Sequence, residues 1–238
     1  MRQRFIIPDM VRGAAVLLMV GFHFCYNLQY FQVADIDITQ DRFWTGLRSI
    51  IVGTFIFIAG MSLHLSCLKR SSWLEHLYRQ KLLAACALVV SLATYPIFPE
   101  SWIYFGVLHF ILTARLLGYA FCGFLGLNLV MGCLAIWAGT ALQSPLFDPK
   151  WINWIGFSAD KPFTEDYVPI FPWIGVFFLG MAAGKLFEQA ARLNPIIQSK
   201  NGGPVARVLA GIGRNSLAIY MLHQPVLMGT MYLVLIIF

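Results

Sequence analysis

The chain has 238 residues, of which 59% are hydrophobic and only 12% charged, with a formal net charge of +6 and a mean hydropathy of +0.71. A soluble domain has about a quarter charged residues, so this composition excludes one. The apolar residues form windows of roughly 20 residues, long enough to cross a bilayer core of about 30 Å, without the alternation of a β-barrel strand. The sequence therefore predicts an all-α, polytopic membrane helical bundle.

Seven apolar segments are predicted to span the membrane within one transmembrane domain, residues 1–238. They are residues 9–31, 44–66, 81–98, 102–119, 121–142, 167–187 and 214–237. Most lysines and arginines lie at ends and loops on one side, including Arg2, Arg4, Lys69, Arg70 and Lys200. By the positive-inside rule, the N-terminus faces the cytoplasm and the C-terminus lies outside the cytoplasmic (inner) membrane. The span count within 99–123 stays open, because that region could form one re-entrant segment.

Two smaller features carry no catalytic prediction. The stretch SSWLEHLYRQK, which contains His76, is predicted to form an amphipathic interfacial helix, and His64 ends the second span. The cysteines are scattered singly with no metal-ligand spacing, so we expect small packing residues; they are Cys25, Cys67, Cys86, Cys122 and Cys133.

The first span carries an arginine and a histidine in the stretch DMVRGAAVLLMVGFHFCYN. Arg12 and His23 are eleven residues apart, so they share one helix face and lie about 16 Å apart along the axis. Tyr26 and Asn27 follow on the same stripe, and Asp9 is placed to pair with Arg12. Because ionisable groups at membrane depth are costly and tend to serve function, we predict a polar track along this helix.

Two further histidines lie inside predicted spans. His109, in the fourth span, is close in depth to His23, and His223 lies near the middle of the last span. Three histidines in three spans are more than packing needs, and histidine exchanges protons near neutral pH. The candidate catalytic residues are therefore His23, His109 and His223. No P-loop, GxGxxG, HExxH or GxSxG pattern occurs.

Five blocks in order along nearly the whole chain resemble the bacterial heparan-alpha-glucosaminide N-acetyltransferase catalytic-domain family. They are RGAAVLLMVGFHF, GTFIFIAGMSLHLS, GVLHFI, PIFPWIGVFFLGMAAGKLF and IGRNSLAIYMLHQPVL. More distantly, the arginine and histidine of the first span resemble the signature of the acyltransferase 3 membrane enzymes. Residues 32–43 contain no histidine, so the catalytic histidine proposed for the first lumenal loop of animal members has no counterpart here.

The resemblance implies an integral membrane acyltransferase that moves an acetyl or other acyl group from cytoplasmic acyl-CoA to a sugar or surface glycan. The acceptor atom would be an amine nitrogen or a hydroxyl oxygen. On this interpretation His23 is the general base or itself takes the acyl group. His109 would orient it or share the proton, and His223 would do the same or line the channel. Tyr26 and Asn27 would bind the acceptor, and three arginines would hold the donor phosphates: Arg12, Arg115 and Arg214.

The expected partners are acyl-CoA, the acceptor and the lipid bilayer; neither a metal nor nucleic acid is expected, and homo-oligomerisation stays open. Two other functions also stay open. The histidine track could conduct protons or gate a small-solute transporter or channel. Alternatively, the buried histidines could hold together a noncatalytic membrane scaffold.

Overall fold

The computed structural model describes residues 5–68, 72–194 and 202–237, which contain nine α-helices and no β-strand. The helices are α1 (Ile6–Tyr30), α2 (Arg42–Cys67), α3 (Trp73–Arg79), α4 (Lys81–Ile97), α5 (Val107–Gly118), α6 (Leu125–Ala141), α7 (Ile170–Leu193), α8 (Pro204–Arg214) and α9 (Ser216–Ile237). Short 3₁₀ turns lie in the connections on both sides of α6. The all-helical prediction is confirmed for the described residues.

Each predicted span overlaps a helix, but not every helix is long enough to cross a membrane. In the described ranges, four helices are sufficiently long and apolar: α1, α2, α7 and α9. The pair α3–α4, bent by 41°, would make a fifth, whereas α5 and α6 are shorter apolar helices. The seven-span count and the orientation therefore stay predictions. Five cations used for the orientation, Arg2, Arg4, Lys69, Arg70 and Lys200, lie outside the described residues.

The chain divides into two compact units. The first unit comprises Met1–Phe55 and Ala191–Phe238, and the second comprises Ile56–Ala190. In the first unit, α1 buries one apolar face in a cluster of Met19, Phe22 and Ile51, which Ile38 of the α1–α2 connection completes. This cluster holds α1 while leaving its polar stripe for other contacts.

In the second unit, α2 and α7 touch through their backbones. Gly60 lies against the carbonyl of Phe177, and Gly180 lies against the carbonyl of Phe57; a Cβ at either glycine would clash with that carbonyl. Gly184 makes a similar close contact with α2. Small residues that allow helices to approach are typical of membrane bundles. The GMAAG stretch thus serves packing within this unit.

A buried contact between a histidine and a carboxylate joins the same two helices. His64 Nε2 lies 3.0 Å from Glu188 Oε2, and Lys185 Nζ lies 3.4 Å from that same oxygen. Both His64 and Glu188 are buried. The sequence predicted no special part for His64, because the partner carboxylate comes from a helix 124 residues later.

Two cysteines differ from the sequence prediction. Cys67, at the end of α2, forms a disulfide with Cys122, which follows α5, and their Cα atoms are 6.3 Å apart. Single cysteines 55 residues apart give no spacing signal for such a pair, since only the fold brings the two helix ends together. Cys25, Cys86 and Cys133 are free, as expected.

The connection between α6 and α7 is organised by one carboxylate. Asp148 Oδ1 accepts hydrogen bonds from Ser158 Oγ at 2.8 Å and from the amides of Ala159 and Asp160 at 2.8 and 3.2 Å. These bonds, the one from Ser158 foremost, lower the pKa of Asp148 because they favour its ionised form. The carboxylate thus closes this connection into an ordered loop.

Removing the buried carboxylate at position 188 should destabilise the second unit. Glu188→Ala leaves the His64 and Lys185 side chains without their shared acceptor, and losing a hydrogen bond to a charged group costs about 1.5–3 kcal/mol. Glu75→Ala is the matched control, because Glu75 forms only an exposed pair with Arg79 on one helix and should cost less than about 1 kcal/mol. Unfolding in detergent micelles measures the loss of stability in both variants. Equal losses in Glu188→Ala and Glu75→Ala would contradict a stabilising role for the buried contact of Glu188.

Asp148→Ala should speed hydrogen exchange at the amides of Ala159 and Asp160. Asp160→Ala should not, because the Asp160 side chain accepts none of these bonds. Since the folded pKa of Asp148 is depressed, the protection it confers should be full above the ordinary aspartate range of about 3.9 and be lost as pH falls through the lowered value. The test compares the exchange rates of the wild type with those of Asp148→Ala at each pH. A difference between the two proteins that grows as the pH falls would refute the prediction.

Candidate functional site

Two of the three predicted catalytic histidines meet in the first unit. The rings of His23 on α1 and His223 on α9 are in edge-to-face contact, with centroids 4.7 Å apart. His223 is buried and His23 is partly buried. Phe22 packs edge-on against His23, and Tyr220 packs against His223. The two imidazoles therefore form a pair, and an aromatic side chain packs against each ring.

The hydrogen bonds of this pair fix where each ring carries its proton. His23 Nδ1 lies 2.9 Å from the carbonyl oxygen of Met19, and His223 Nδ1 lies 2.6 Å from that of Tyr220. A carbonyl oxygen can only accept, so each Nδ1 must donate. In the neutral rings the lone pair therefore sits on Nε2, the atom that can take a proton. His223 Nε2 is buried and has no hydrogen-bond partner among the described residues.

A second polar contact joins the same two helices next to the imidazole pair. Asn27 Nδ2 donates to Gln224 Oε1 at 3.2 Å, and Gln224 Nε2 lies 3.5 Å from Asn27 Oδ1. Asn27 is completely buried and lies one turn beyond His23. Because each amide supplies both a donor and an acceptor, the pair satisfies itself and holds α9 in register with α1.

The two predicted arginines of the first unit lie at a second contact along α1. Gly13, next to Arg12, touches the backbone of α8 at Leu209 and Gly213, and Arg214 follows directly. Only glycine allows this approach, since a Cβ at Gly13 would clash with the Leu209 carbonyl. Arg12 pairs with Asp9 at 3.4 Å, as predicted, while Arg214 Nε donates to Ala210 O at 3.1 Å.

These contacts run along α1 in parallel register. Gly13 meets Gly213 at one level, and ten residues later His23 meets His223. At 1.5 Å per helical residue, the two levels on α1 are about 15 Å apart. The arginines therefore lie at one end of the C-terminal segment's contact with α1, and the imidazoles lie towards the other.

Tyr26, three residues after His23, packs against the cluster that also holds Phe22 and Tyr220, the aromatic neighbours of the imidazole pair. Its ring stacks on Tyr30 with centroids 6.5 Å apart. The sequence placed Tyr26 and Asn27 on one stripe, but consecutive residues diverge by 100° around a helix. Asn27 hydrogen-bonds to Gln224 of α9, and binding of the acceptor by Tyr26 or Asn27 stays a prediction.

His109 belongs to the second unit, where both its ring nitrogens are bonded. The amide of Gly106 donates to His109 Nδ1 at 3.3 Å, so the ring proton sits on Nε2, 3.1 Å from Ser91 Oγ. Ser91 in turn donates to the carbonyl of Ile103 at 2.7 Å. This proton position is the reverse of that in His23. The geometry gives His109 a part in fixing the start of α5, and its catalytic role stays a prediction.

Arg115 also belongs to the second unit. Its Nε donates to Gln80 Oε1 at 2.8 Å, and its carbonyl accepts from His76 Nε2 at 3.0 Å. Both partners are buried. These bonds anchor the residues around α3 to α5. Binding of donor phosphates by Arg115 stays a prediction.

Sequence reasoning missed two features of the first unit. Gln224 was seen only as the residue after His223, and its role depends on the long-range pairing with Asn27. A shallow cavity of about 290 Å³ also lies just beyond the C-terminal end of α1. It is lined by Gln29, Gln32, Ala34, Asp35, Ile36 and Asp37. The only sequence signal for it was a cluster of short polar residues in a loop, which is too common to interpret alone.

Comparison with known proteins agrees with the resemblance in sequence. The family model described as "Heparan-alpha-glucosaminide N-acetyltransferase, catalytic" matches residues 4–225, nearly the whole chain. The comparisons with curated proteins and with solved structures give no match. The match, together with the long apolar helices, indicates a membrane acetyltransferase. The chain belongs to the heparan-alpha-glucosaminide N-acetyltransferase catalytic-domain family.

Proposed function

We propose that this protein transfers an acetyl or other acyl group from acyl-CoA to an amine or hydroxyl of a sugar or surface glycan. The observation that supports it best is the contact between His23 and His223, in which both Nδ1 atoms are tied to carbonyls of their own helices. This arrangement presents Nε2 as the basic atom of each ring. A fixed tautomer with a basic Nε2 is what a general base in acyl transfer requires.

The proposed step uses His23 as the base. As the acceptor oxygen or nitrogen attacks the thioester carbonyl, its proton passes to His23 Nε2, and a bond forms between the acceptor and the acyl carbon. The carbon–sulfur bond then breaks, and the leaving thiolate takes the proton from Nε2 to give free CoA. No other reactant is consumed, and the imidazole returns to its neutral form.

His223 is proposed to support the same step. Its ring limits rotation of His23 through their 4.7 Å edge-to-face contact. Its Nε2 is also a second basic atom, which would share the proton that His23 takes. The Asn27–Gln224 pair holds the two helices in the register that this contact needs. The proposed proton transfer involves only residues of the first unit.

The donor is proposed to enter at the arginine end of α1. Arg12 and Arg214 lie beside the backbone contact of Gly13 and Gly213, and guanidinium groups suit phosphate oxygens. An extended pantetheine arm is comparable in length with the roughly 16 Å from Arg12 to His23 along the helix. The thioester would then reach the imidazole pair while the phosphates stay at the arginines.

The acceptor is proposed to approach from the opposite end, through the shallow cavity beyond α1. Gln29 and Gln32 supply amide groups there, and Asp35 and Asp37 supply carboxylates. Backbone and side-chain bonds from Gln40 and Thr39 lower the pKa of Asp37, so its carboxylate stays ionised at neutral pH. A polar, negatively charged mouth suits a hydroxyl-rich or amine-bearing acceptor.

His23→Ala should abolish acyl transfer while folding and acyl-CoA binding stay largely intact, because the variant lacks the base but keeps the arginines. Consumption of the thioester by purified protein in detergent, with an amino sugar as acceptor, measures the rate. Phe24→Ala is the control, since Phe24 is the next residue on α1 and its side chain is exposed. Transfer by His23→Ala at the parental rate would remove His23 from the mechanism.

Acyl-CoA should stabilise the protein, by about 2.7 kcal/mol at a hundred times its dissociation constant. Replacing Arg12 and Arg214 together by Gln removes charged hydrogen bonds worth about 1.5–3 kcal/mol each, so the dissociation constant should rise at least roughly tenfold. Arg42→Gln, at the exposed start of α2, is the control for lost charge. Thermal unfolding with and without acyl-CoA gives both the stabilisation and the dissociation constant.

The same measurements separate the alternatives. A noncatalytic scaffold would show no stabilisation by acyl-CoA and no thioester consumption. A transporter or channel would show no thioester consumption in detergent but would carry solute or protons across vesicle membranes. Either pattern would overturn the acyltransferase proposal.

A further inference from the structure

Helix α3 is polar towards the protein and apolar towards its surroundings. His76 and Gln80, on its inner side, are 3% and 4% exposed, whereas Leu74 and Tyr78 are 76% and 67% exposed. Trp73 is also partly exposed. A surface helix of a soluble protein has the opposite distribution, with its apolar stripe facing the core. The exposed side of α3 therefore presents large apolar side chains together with the exposed Glu75–Arg79 pair.

The polar side of α3 is fixed to α5. His76 Nε2 donates to the Arg115 carbonyl, and Gln80, directly after α3, accepts from the Arg115 side chain. The His76 ring also stacks on Tyr119, with centroids 4.3 Å apart and an angle of 20° between the planes. Because these contacts prevent α3 from rolling about its axis, the apolar side chains are held outwards.

Basic side chains flank this outward face. Arg79 ends α3 and Lys81 begins α4, and Lys81 Nζ lies 2.7 Å from Tyr78 Oη. Glu75 is the only acid in α3, and it pairs with Arg79 across 3.4 Å. The sequence places two more cations, Lys69 and Arg70, just before the helix. The local charge is therefore positive.

We propose that α3 is an interfacial helix that binds the headgroup of an anionic phospholipid. Leu74 and Tyr78 would lie at the level of the acyl chains, and Arg79 and Lys81 would contact the lipid phosphate. Exposed apolar side chains combined with Trp, Tyr and flanking cations are characteristic of segments at the membrane–water boundary. Clustered cations at this level select anionic over zwitterionic lipids. The proposal does not depend on the acyltransferase activity.

The first test compares the full chain in nanodiscs of phosphatidylcholine alone and of phosphatidylcholine mixed with phosphatidylglycerol. Phosphatidylglycerol should raise the unfolding temperature of the wild type, and the double variant Arg79→Gln, Lys81→Gln should lose that shift. The matched control is Lys150→Gln, Lys161→Gln, which removes the same charge from the α6–α7 connection and should keep the shift. Inorganic phosphate added to the detergent-solubilised protein should not reproduce it.

The second test measures the depth of α3 without relying on those variants. Fluorescence from Trp73, obtained as the difference between the wild type and Trp73→Phe, should be quenched by lipids brominated near the headgroup end of their acyl chains. The proposal would be overturned if the Trp73 fluorescence is not quenched, or if phosphatidylglycerol does not raise the unfolding temperature. It would also be overturned if the Lys150→Gln, Lys161→Gln control loses the same rise, or if inorganic phosphate alone produces the full rise.

Discussion

Polar side chains within apolar membrane helices must find hydrogen-bond partners inside the protein, because lipid supplies none. In the first unit this requirement is met between α1 and the C-terminal helix, except at His223 Nε2, which has no partner among the described residues. The buried Asn27 amide pairs with Gln224, and each imidazole of the pair bonds through Nδ1 to its own helix. The bonds that satisfy these groups also determine the register of the helices and the position of the basic Nε2 atoms. The packing of these two helices and the proposed proton transfer thus depend on the same set of contacts.

The five histidines divide by how their Nε2 atoms are used. In the second unit Nε2 is occupied in each case: by Glu188 for His64, by the Arg115 carbonyl for His76 and by Ser91 for His109. In the first unit the Nδ1 atoms take the structural bonds instead. Donation from Nε2 leaves Nδ1 as the basic atom of His64 and His76, and Nδ1 of His64 has no hydrogen-bond partner among the described residues. At His109 both ring nitrogens are bonded, so this ring must break a bond before it can act as a base. His23 and His223 instead keep Nε2 as the basic atom.

The sequence predicted well what depends on local composition and helix period. Long apolar windows identified the helices, and the eleven-residue spacing identified Arg12 and His23 as one stripe. It failed where the partner lies far along the chain. The pairs Asn27–Gln224, His64–Glu188 and Cys67–Cys122 give no local signal, because each forms only when distant helices meet. The start of α5 was also placed too early, since its first turn is fixed by Asp166, which accepts from the Val107 amide, and by His109.

The central claim is that His23 and His223 act as one site, which a double-mutant cycle on kcat/KM for acyl transfer tests most directly. If the two rings act as a unit, His23→Ala, His223→Ala and the double variant should lose nearly the same activity, since removing either ring disables the pair. Losses that multiply in the double variant would show two independent contributions and contradict the account, as would full activity after loss of both rings.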